Sequence, residues 1–217
     1  MPKKHKPLII LGAGAGISSI LSIAYARNYV VSRLVDPRLA GDSKYDVPIK
    51  ADFKDVDPDE YYFAIGVGDN TRREKIYQET SANYPELVFL PLIHPSAVIS
   101  QGAKIGEGTI IMPNVVVGAQ CDIGQFCMLN TMSSIDHDGV MADFSSLAPG
   151  AILAGQVTLG PRSNIAIGAK VKHSVTIGAN TVIGANSYVH SDMENNVVAY
   201  GTPAQVIRSR SKDDPYL

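Results

Sequence analysis

Cysteine is scarce in this chain: two residues, Cys121 and Cys127, among 217. That pair builds neither a disulfide framework nor a metal site, and the expected setting is reducing and cytoplasmic. Charge is sparse too, at 18% of residues with a formal net of −2. No basic stripe runs along the sequence, so nucleic acid is not an expected partner. The short start Lys3-Lys4-His5-Lys6 reads as a solvated tail. No segment reaches the ~18 apolar residues of a membrane span. The run Leu8-Ile9-Ile10-Leu11 stops at Gly12, short of the roughly 7–15 residues of a signal-peptide core. What the chain does have is 45% apolar residues, far from the composition of a disordered polymer.

Those apolar residues carry a period of six. Counted from Ile93, every sixth position through Val189 is aliphatic or Met: Ile99, Ile105, Ile111, Val117, Ile123, Leu129, Ile135, Met141, and so on. The fifth position of each block is small or β-branched, as at Ala97, Thr109, Cys121, Ser133, Ala151 and Ser163, until Met193. A six-residue period fits neither an α-helix nor an alternating strand. It fits a solenoid in which each block forms one flat side of a triangular coil, three sides to a coil. This predicts a left-handed parallel β-helix over residues 93–200, followed by a C-terminal cap and tail over 201–217. First- and fifth-position side chains point inward. Frequent Gly at the second position (Gly106, Gly124, Gly160, Gly178, Gly184) is expected to relieve unusual backbone angles at the corners. Cys121 and Cys127 then become small buried fifth-position residues rather than redox groups.

Residues 1–92 have another texture. Strands are predicted over 6–11, 29–35, 61–67 and 87–92, with helices over 17–27 and 71–80. This alternation predicts a small parallel α/β domain of Rossmann type. Gly12-Ala13-Gly14-Ala15-Gly16 lies between the first strand and helix, where backbone N–H groups can approach a phosphate. Asp36 follows about twenty residues later, where a carboxylate can take a ribose hydroxyl. The third glycine of a dinucleotide fingerprint would fall on Ile17, so the pattern points to a nucleotide more than to NAD.

Ser134-Ile135-Asp136-His137-Asp138, set in a β-helix joined to such a domain, resembles the bacterial acetyltransferases that act on nucleotide-linked amino sugars and their relatives that O-acetylate sialic acid. Ala64-Ile65-Gly66-Val67-Gly68-Asp69-Asn70 with Arg72, Pro149-Gly150-Ala151, Leu153-Ala154-Gly155 and Gly201-Thr202-Pro203-Ala204 extend the resemblance over nearly the whole chain. It implies a homotrimer using acetyl-CoA, with active sites between subunits, in surface-glycan synthesis. It makes His137 the general base, Asp138 the residue that orients it, and the Gly155 N–H a donor to the thioester oxygen. It assigns backbone contacts with acetyl-CoA to Ile167 and Ala185. Ser146 stands where some members carry a second histidine near the acetyl-CoA carbonyl, and is expected on that side of the site. The acceptor nucleotide is expected at Gly12, Gly14 and Gly16 with Asp36, Arg38, Gly68 and Asn70. The chain departs from the family at this loop: relatives read Gly-Gly-His-Gly or similar, and here the residues are Ala15-Gly16-Ile17. The loop histidine that helps contact the sugar nucleotide in some members is absent, which leaves the acceptor's identity open.

The residues support that chemistry on their own terms. A neutral imidazole can take a proton from an attacking amine or hydroxyl near neutral pH. Asp136 and Asp138 flank His137, and either can fix its tautomer. One coil on from His137 is Gly155, and one further is His173, so the three share a corner. Lys170, Lys172, His173 and Arg208 are candidates to meet CoA phosphates. Three other readings compete. A sugar O-acetyltransferase would use the same residues. A non-catalytic nucleotide-sugar-binding scaffold would not need His137, Asp138 and Gly155 in coil register. A β-helix carbonic anhydrase would hold zinc on three histidines, and after His137 and His173 the third ligand would fall on Gly178, so no metal is expected.

Overall fold

The computed structural model describes residues 6–214. Lys3, Lys4 and His5 of the expected tail lie outside the described residues, as do 215–217. The first part of the chain forms β1 (Leu8–Leu11), α1 (Ile17–Ala26), β2 (Val31–Val35), β3 (Ser43–Lys44), β4 (Val47–Lys50), β5 (Tyr62–Ile65) and α2 (Asn70–Asn83). The sheet order is β3-β4-β2-β1-β5, and all neighbours except β3 and β4 run parallel. Leu8, Ile9 and Ile10 are fully buried, as an unbroken apolar run in a central parallel strand should be.

One expectation here needs correction, and one element goes beyond what was expected. The segment 87–92 is not a fourth strand of this sheet; only Phe89 bridges Phe63, while Leu92–Ile93 joins the solenoid. Pro91 interrupts it, since proline cannot donate to a ladder. The hairpin β3–β4 was not anticipated, because its tip carries positive φ on Tyr45 and Asp46 rather than on the Asn-Gly or Asp-Gly that would signal it.

From Leu92 the chain winds into a parallel β-helix with three faces. Face I holds Leu92–Ile93, Ile110–Ile111, Met128–Leu129, Ser146–Leu147, Asn164–Ile165 and Val182–Ile183. Face II holds Val98–Ile99, Val116–Val117, Ser134–Ile135, Ile152–Leu153, Lys170–Val171 and Tyr188–Val189. Face III holds Lys104–Ile105, Asp122–Ile123, Val140–Met141, Thr158–Leu159 and Thr176–Ile177. Each strand pairs with the one 18 residues on, as Val117 with Ile135 and Ile135 with Leu153.

The first-position side chains stack inside: Ile111, Val117, Leu129, Ile135, Leu147, Leu153, Leu159, Ile165, Ile177, Ile183 and Val189 are fully buried. Each such burial stabilises by about 1.5–3 kcal/mol against exposure. Fifth-position residues pack beside them, and the polar ones have a second task. Thr109 Oγ1 donates to Gly124 O, Ser163 Oγ to Gly178 O, Cys121 Sγ to Asp136 O and Cys127 Sγ to Ala142 O. Each thereby satisfies the second-position carbonyl of the next coil, which a buried wall cannot leave unpaired. Both thiols are free, and burial pushes Cys127 up to about 11, which makes it inert.

The corners work differently from expectation. The residue with positive φ is the fourth of each block, at every position from Gly102 to Asn186, and most of these are not glycine. The second-position glycines answer to crowding instead. A Cβ on Gly106 would sit 2.5 Å from the carbonyl carbon of Gly124, its counterpart one coil on. The third position has its own rule. The ladder takes the N–H of the second, fourth and sixth residues, as Asp136 to Leu153, Asp138 to Ala119 and Val140 to Val157, and leaves the third unused. Pro95, Pro113, Pro149 and Pro161 all occupy third positions, where a missing N–H costs nothing.

The α/β part sits on face I. The outward residues of that face, Ile110, Met128, Ser146, Asn164 and Val182, are all buried. Phe126 and Phe144, on the corner between faces III and I, stack 5.4 Å apart and pack against Tyr77 and Phe89. The chain ends in Val197–Gly201, which extends face I, and Ala204–Ser209, which pairs back antiparallel. Among the described residues no helix is long and apolar enough to cross a membrane.

Candidate active site

The corner between faces II and III carries His137, Gly155 and His173. It is the corner opposite face I, and so opposite the face that carries the α/β part. His137 is third in its block, where the side chain leaves the coil outward. Asp138 follows in the left-handed conformation, φ 55°, and its Oδ2 comes 2.8 Å from His137 Nδ1. Asp136 does something else: its Oδ1 accepts the otherwise unused His137 backbone N–H at 2.8 Å. Of the two flanking aspartates, Asp138 is the one on the ring.

This hydrogen bond is the main reason that the His137 imidazolium persists above its ordinary range; the negative charges of Asp136 and Asp138 add to it, against some desolvation. With Nδ1–H given to the carboxylate, Nε2 is left with a lone pair. That nitrogen lies on Gly155. A Cβ built there would stand 2.5 Å from Nε2 and 2.6 Å from Cε1. The absence of a side chain at Gly155 therefore clears space for the imidazole. Gly155 is also a third-position residue, and among the described residues its N–H has no hydrogen-bond partner. A basic nitrogen thus rests against a residue whose backbone donor the ladder leaves unused.

Other expected residues fall elsewhere. Ile167, 59% exposed, and Ala185 lie on the corner between faces I and II, one coil apart. Within one chain they do not share the edge of His137. Lys170 is on face II, its Nζ near Gly168 O at 3.2 Å. Ser146 is buried on face I. Its hydroxyl donates to Asn70 Oδ1 and accepts from Arg73, so it offers nothing to a cofactor. Asn70, 1% exposed, gives its amide to the carbonyls of Arg162 and Ser163. It joins the two parts of the chain and is not open to a substrate.

The remaining acceptor residues cluster in part. A cleft of about 220 Å³ is lined by Gly12, Asp36, Arg38, Val67, Arg72 and the apolar Phe53 and Ile76, among others. Gly12 has φ +105° and approaches Val67 so closely that a Cβ would meet it at 2.7 Å. Asp36 accepts from Arg38 Nε and Nη2 at 3.1 and 3.0 Å, and that guanidinium holds its carboxyl below the usual range. Gly14 and Gly16 lie outside this cleft in open space. Lys44, from the hairpin, reaches Ala13 O at 2.7 Å. Lys44 and Phe53 were missed in the sequence because no recognisable turn or motif marks them; Arg72 stood beside the 64–70 motif with no role assigned, and the structure puts it in the cleft wall. Among the described residues no three His, Cys, Asp or Glu side chains gather as a metal site would require.

Comparison with known proteins decides the family. Residues 157–191 match the bacterial transferase hexapeptide (six repeats) model. The crystal structure of PerB from Caulobacter crescentus, in complex with CoA and GDP-perosamine, superposes with a TM-score of 0.85 at 31% identity, over 92% of this chain and 96% of that one. The chain belongs to the hexapeptide-repeat sugar acetyltransferases. It is an acyltransferase. The acetyltransferase domain of PglB from Neisseria gonorrhoeae, in complex with acetyl coenzyme A, gives a TM-score of 0.87 at 27% identity over 94% of this chain and all of that one. GDP-perosamine N-acetyltransferase of Escherichia coli O157:H7 is 28% identical over 152 residues, 68% of each chain.

Proposed function

We propose that the protein is an acetyl-CoA-dependent N-acetyltransferase acting on a nucleotide-linked amino sugar in surface-glycan synthesis. The observation that carries this reading is the His137–Asp138 pair resting on Gly155, in a fold whose relatives bind CoA and GDP-perosamine. The acceptor amine attacks the thioester carbonyl while His137 Nε2 takes its proton. Asp138 holds the tautomer and stabilises the imidazolium. The Gly155 N–H donates to the oxyanion, an interaction whose removal costs about 2.7–4 kcal/mol in comparable sites. Collapse expels the CoA thiolate, which recovers the proton from His137, and no covalent acyl-enzyme forms.

In this reading residues 1–92 are a Rossmann-like domain that binds the nucleotide at Gly12, Asp36 and Arg38, with Gly14 and Gly16 beside it. Residues 93–200 are the acyltransferase β-helix, and 201–217 its cap and tail. The protein works as a homotrimer. Two observations support this. His137 stands on the corner opposite the face that carries the nucleotide cleft, so the acceptor reaches the His137 of a neighbouring copy. Face II presents a partly exposed apolar row, Val98, Val116, Ile152 and Tyr188, that a second copy covers. Such packing also brings the Ile167–Ala185 corner of one copy toward the His137 corner of another, where acetyl-CoA lies, with Lys170 and His173 near its phosphates.

The test is thiol release from acetyl-CoA across a panel of UDP-, GDP-, dTDP- and CMP-linked 4-amino and hydroxyl sugars. Wild type turns over an amino sugar, and His137→Ala loses about 10²–10⁴ in kcat. Equal turnover by His137→Ala sinks the catalytic assignment. Turnover of hydroxyl sugars alone replaces N- with O-acetylation.

A further inference from the structure

Arg73 is 1% exposed and takes no part in the chemistry above. It lies in α2, three residues after Asn70, at the seam between the α/β part and the solenoid. Its Nη1 donates to the carbonyls of Val67 and Gly68, both at 2.9 Å. Its Nε donates to Phe126 O at 2.7 Å, and its Nη2 to Phe144 O, Asn70 Oδ1 and Ser146 Oγ at 3.1, 2.8 and 3.2 Å. One planar group therefore grips two things at once. Val67 is part of the wall of the nucleotide cleft, packed against Gly12. Phe126 and Phe144 stand one coil apart on the solenoid, and the stretch between them contains His137.

We propose that Arg73 is a positioning residue for acetyl transfer, which sets the acceptor cleft at a fixed distance and angle from the solenoid; this rests on the function proposed above. The carbonyls that it holds at Phe126 and Phe144 flank the coil that presents His137. The carbonyls that it holds at Val67 and Gly68 belong to the loop that closes the cleft beside Gly12. Because a buried guanidinium donates in a rigid plane, it fixes both sets together; a lysine ammonium carries three donors on a flexible stem and cannot reach them all. Cleft and solenoid then move as one piece, and any copy packed on the solenoid meets the bound sugar in register.

The test compares Arg73→Met and Arg73→Lys with wild type, with kinetics normalised to folded protein from thermal melts. A displaced acceptor lowers kcat, because misplacement by about 1 Å costs on the order of 10²-fold. The expected result is a loss of about that size in R73M and a smaller loss in R73K. The KM for acetyl-CoA stays within about twofold, and the pH limb set by His137 does not move, since neither site is touched. A residue that served stability alone would lower the melting temperature and leave kcat per folded enzyme unchanged; that result in R73K overturns the proposal. If R73M does not fold, R73K decides in the same way. A wild type that acetylates no sugar of the panel overturns the function itself, and the role of Arg73 with it.

Discussion

Gly155→Ala adds one methyl group beside His137 and alters no donor. The backbone at Gly155 is not in the left-handed region, so alanine is tolerated there, and its N–H remains. The new Cβ would stand 2.5 Å from Nε2, where nonbonded atoms prefer roughly 3.5 Å. The imidazole must therefore retreat by about 1 Å. It is tethered to Asp138 by the 2.8 Å bond at Nδ1, so the retreat stretches or breaks that bond. Two effects follow. The base is misplaced, which lowers kcat by about 10²-fold. The partner that raises the pKa is weakened, so the value falls back toward about 6.5. Because the proposed mechanism needs the neutral ring, the rising limb of kcat/KM against pH moves to lower pH in the variant. Thiol release measured from pH 5 to 9 reads both. A variant with wild-type kcat, or with reduced kcat and an unmoved limb, would refute the reasoning, since the ring would then not rest on Gly155 during turnover.

Three further outcomes are expected. Asp138→Asn shifts the same limb to lower pH, because removal of the carboxylate removes the main cause of the raised pKa, and it lowers the plateau because the tautomer is no longer held; an unmoved limb would assign the effect to Asp136. Gly106→Ala places a Cβ against the backbone of Gly124, which cannot yield, and costs about 1–3 kcal/mol of stability, read from denaturant unfolding, with the His137 site intact. Ile152→Glu, in the partly exposed row of face II, yields monomers by light scattering and abolishes transfer; a trimer that tolerates the charge places the interface elsewhere.

The solenoid was legible in the sequence because one interior row must be aliphatic in every block, from Ile93 to Val189. Its corners were not. A left-handed residue in a fully laddered coil need not be glycine, so the fourth position accepts Phe126, Met132 and Arg162 and leaves no compositional trace. The glycines that did stand out mark crowding between coils instead. His137 and Gly155 were legible because their relation is the coil repeat itself. Ser146 and Asn70 misled for the opposite reason. The hydrogen bond between them spans 76 residues, and no local pattern reveals that two polar side chains spend themselves on each other inside a seam. Phe126 and Phe144 do carry a signal in retrospect: aromatics that recur at one outward position in successive coils mark a covered surface.

The repeat that brings His137 over Gly155 also restricts how such a chain can change its length. Loss of one residue between them would turn every later side chain by a step, expelling Leu159 and Ile165 from the interior and drawing their polar neighbours in. A deletion is tolerated only when it removes a whole coil, or when it falls in the segments outside the ladder. The spacing from His137 to the end of the helix is therefore quantised. Descendants of this protein can adjust the far end of the solenoid in increments of one coil, while the distance from His137 to Gly155 stays locked.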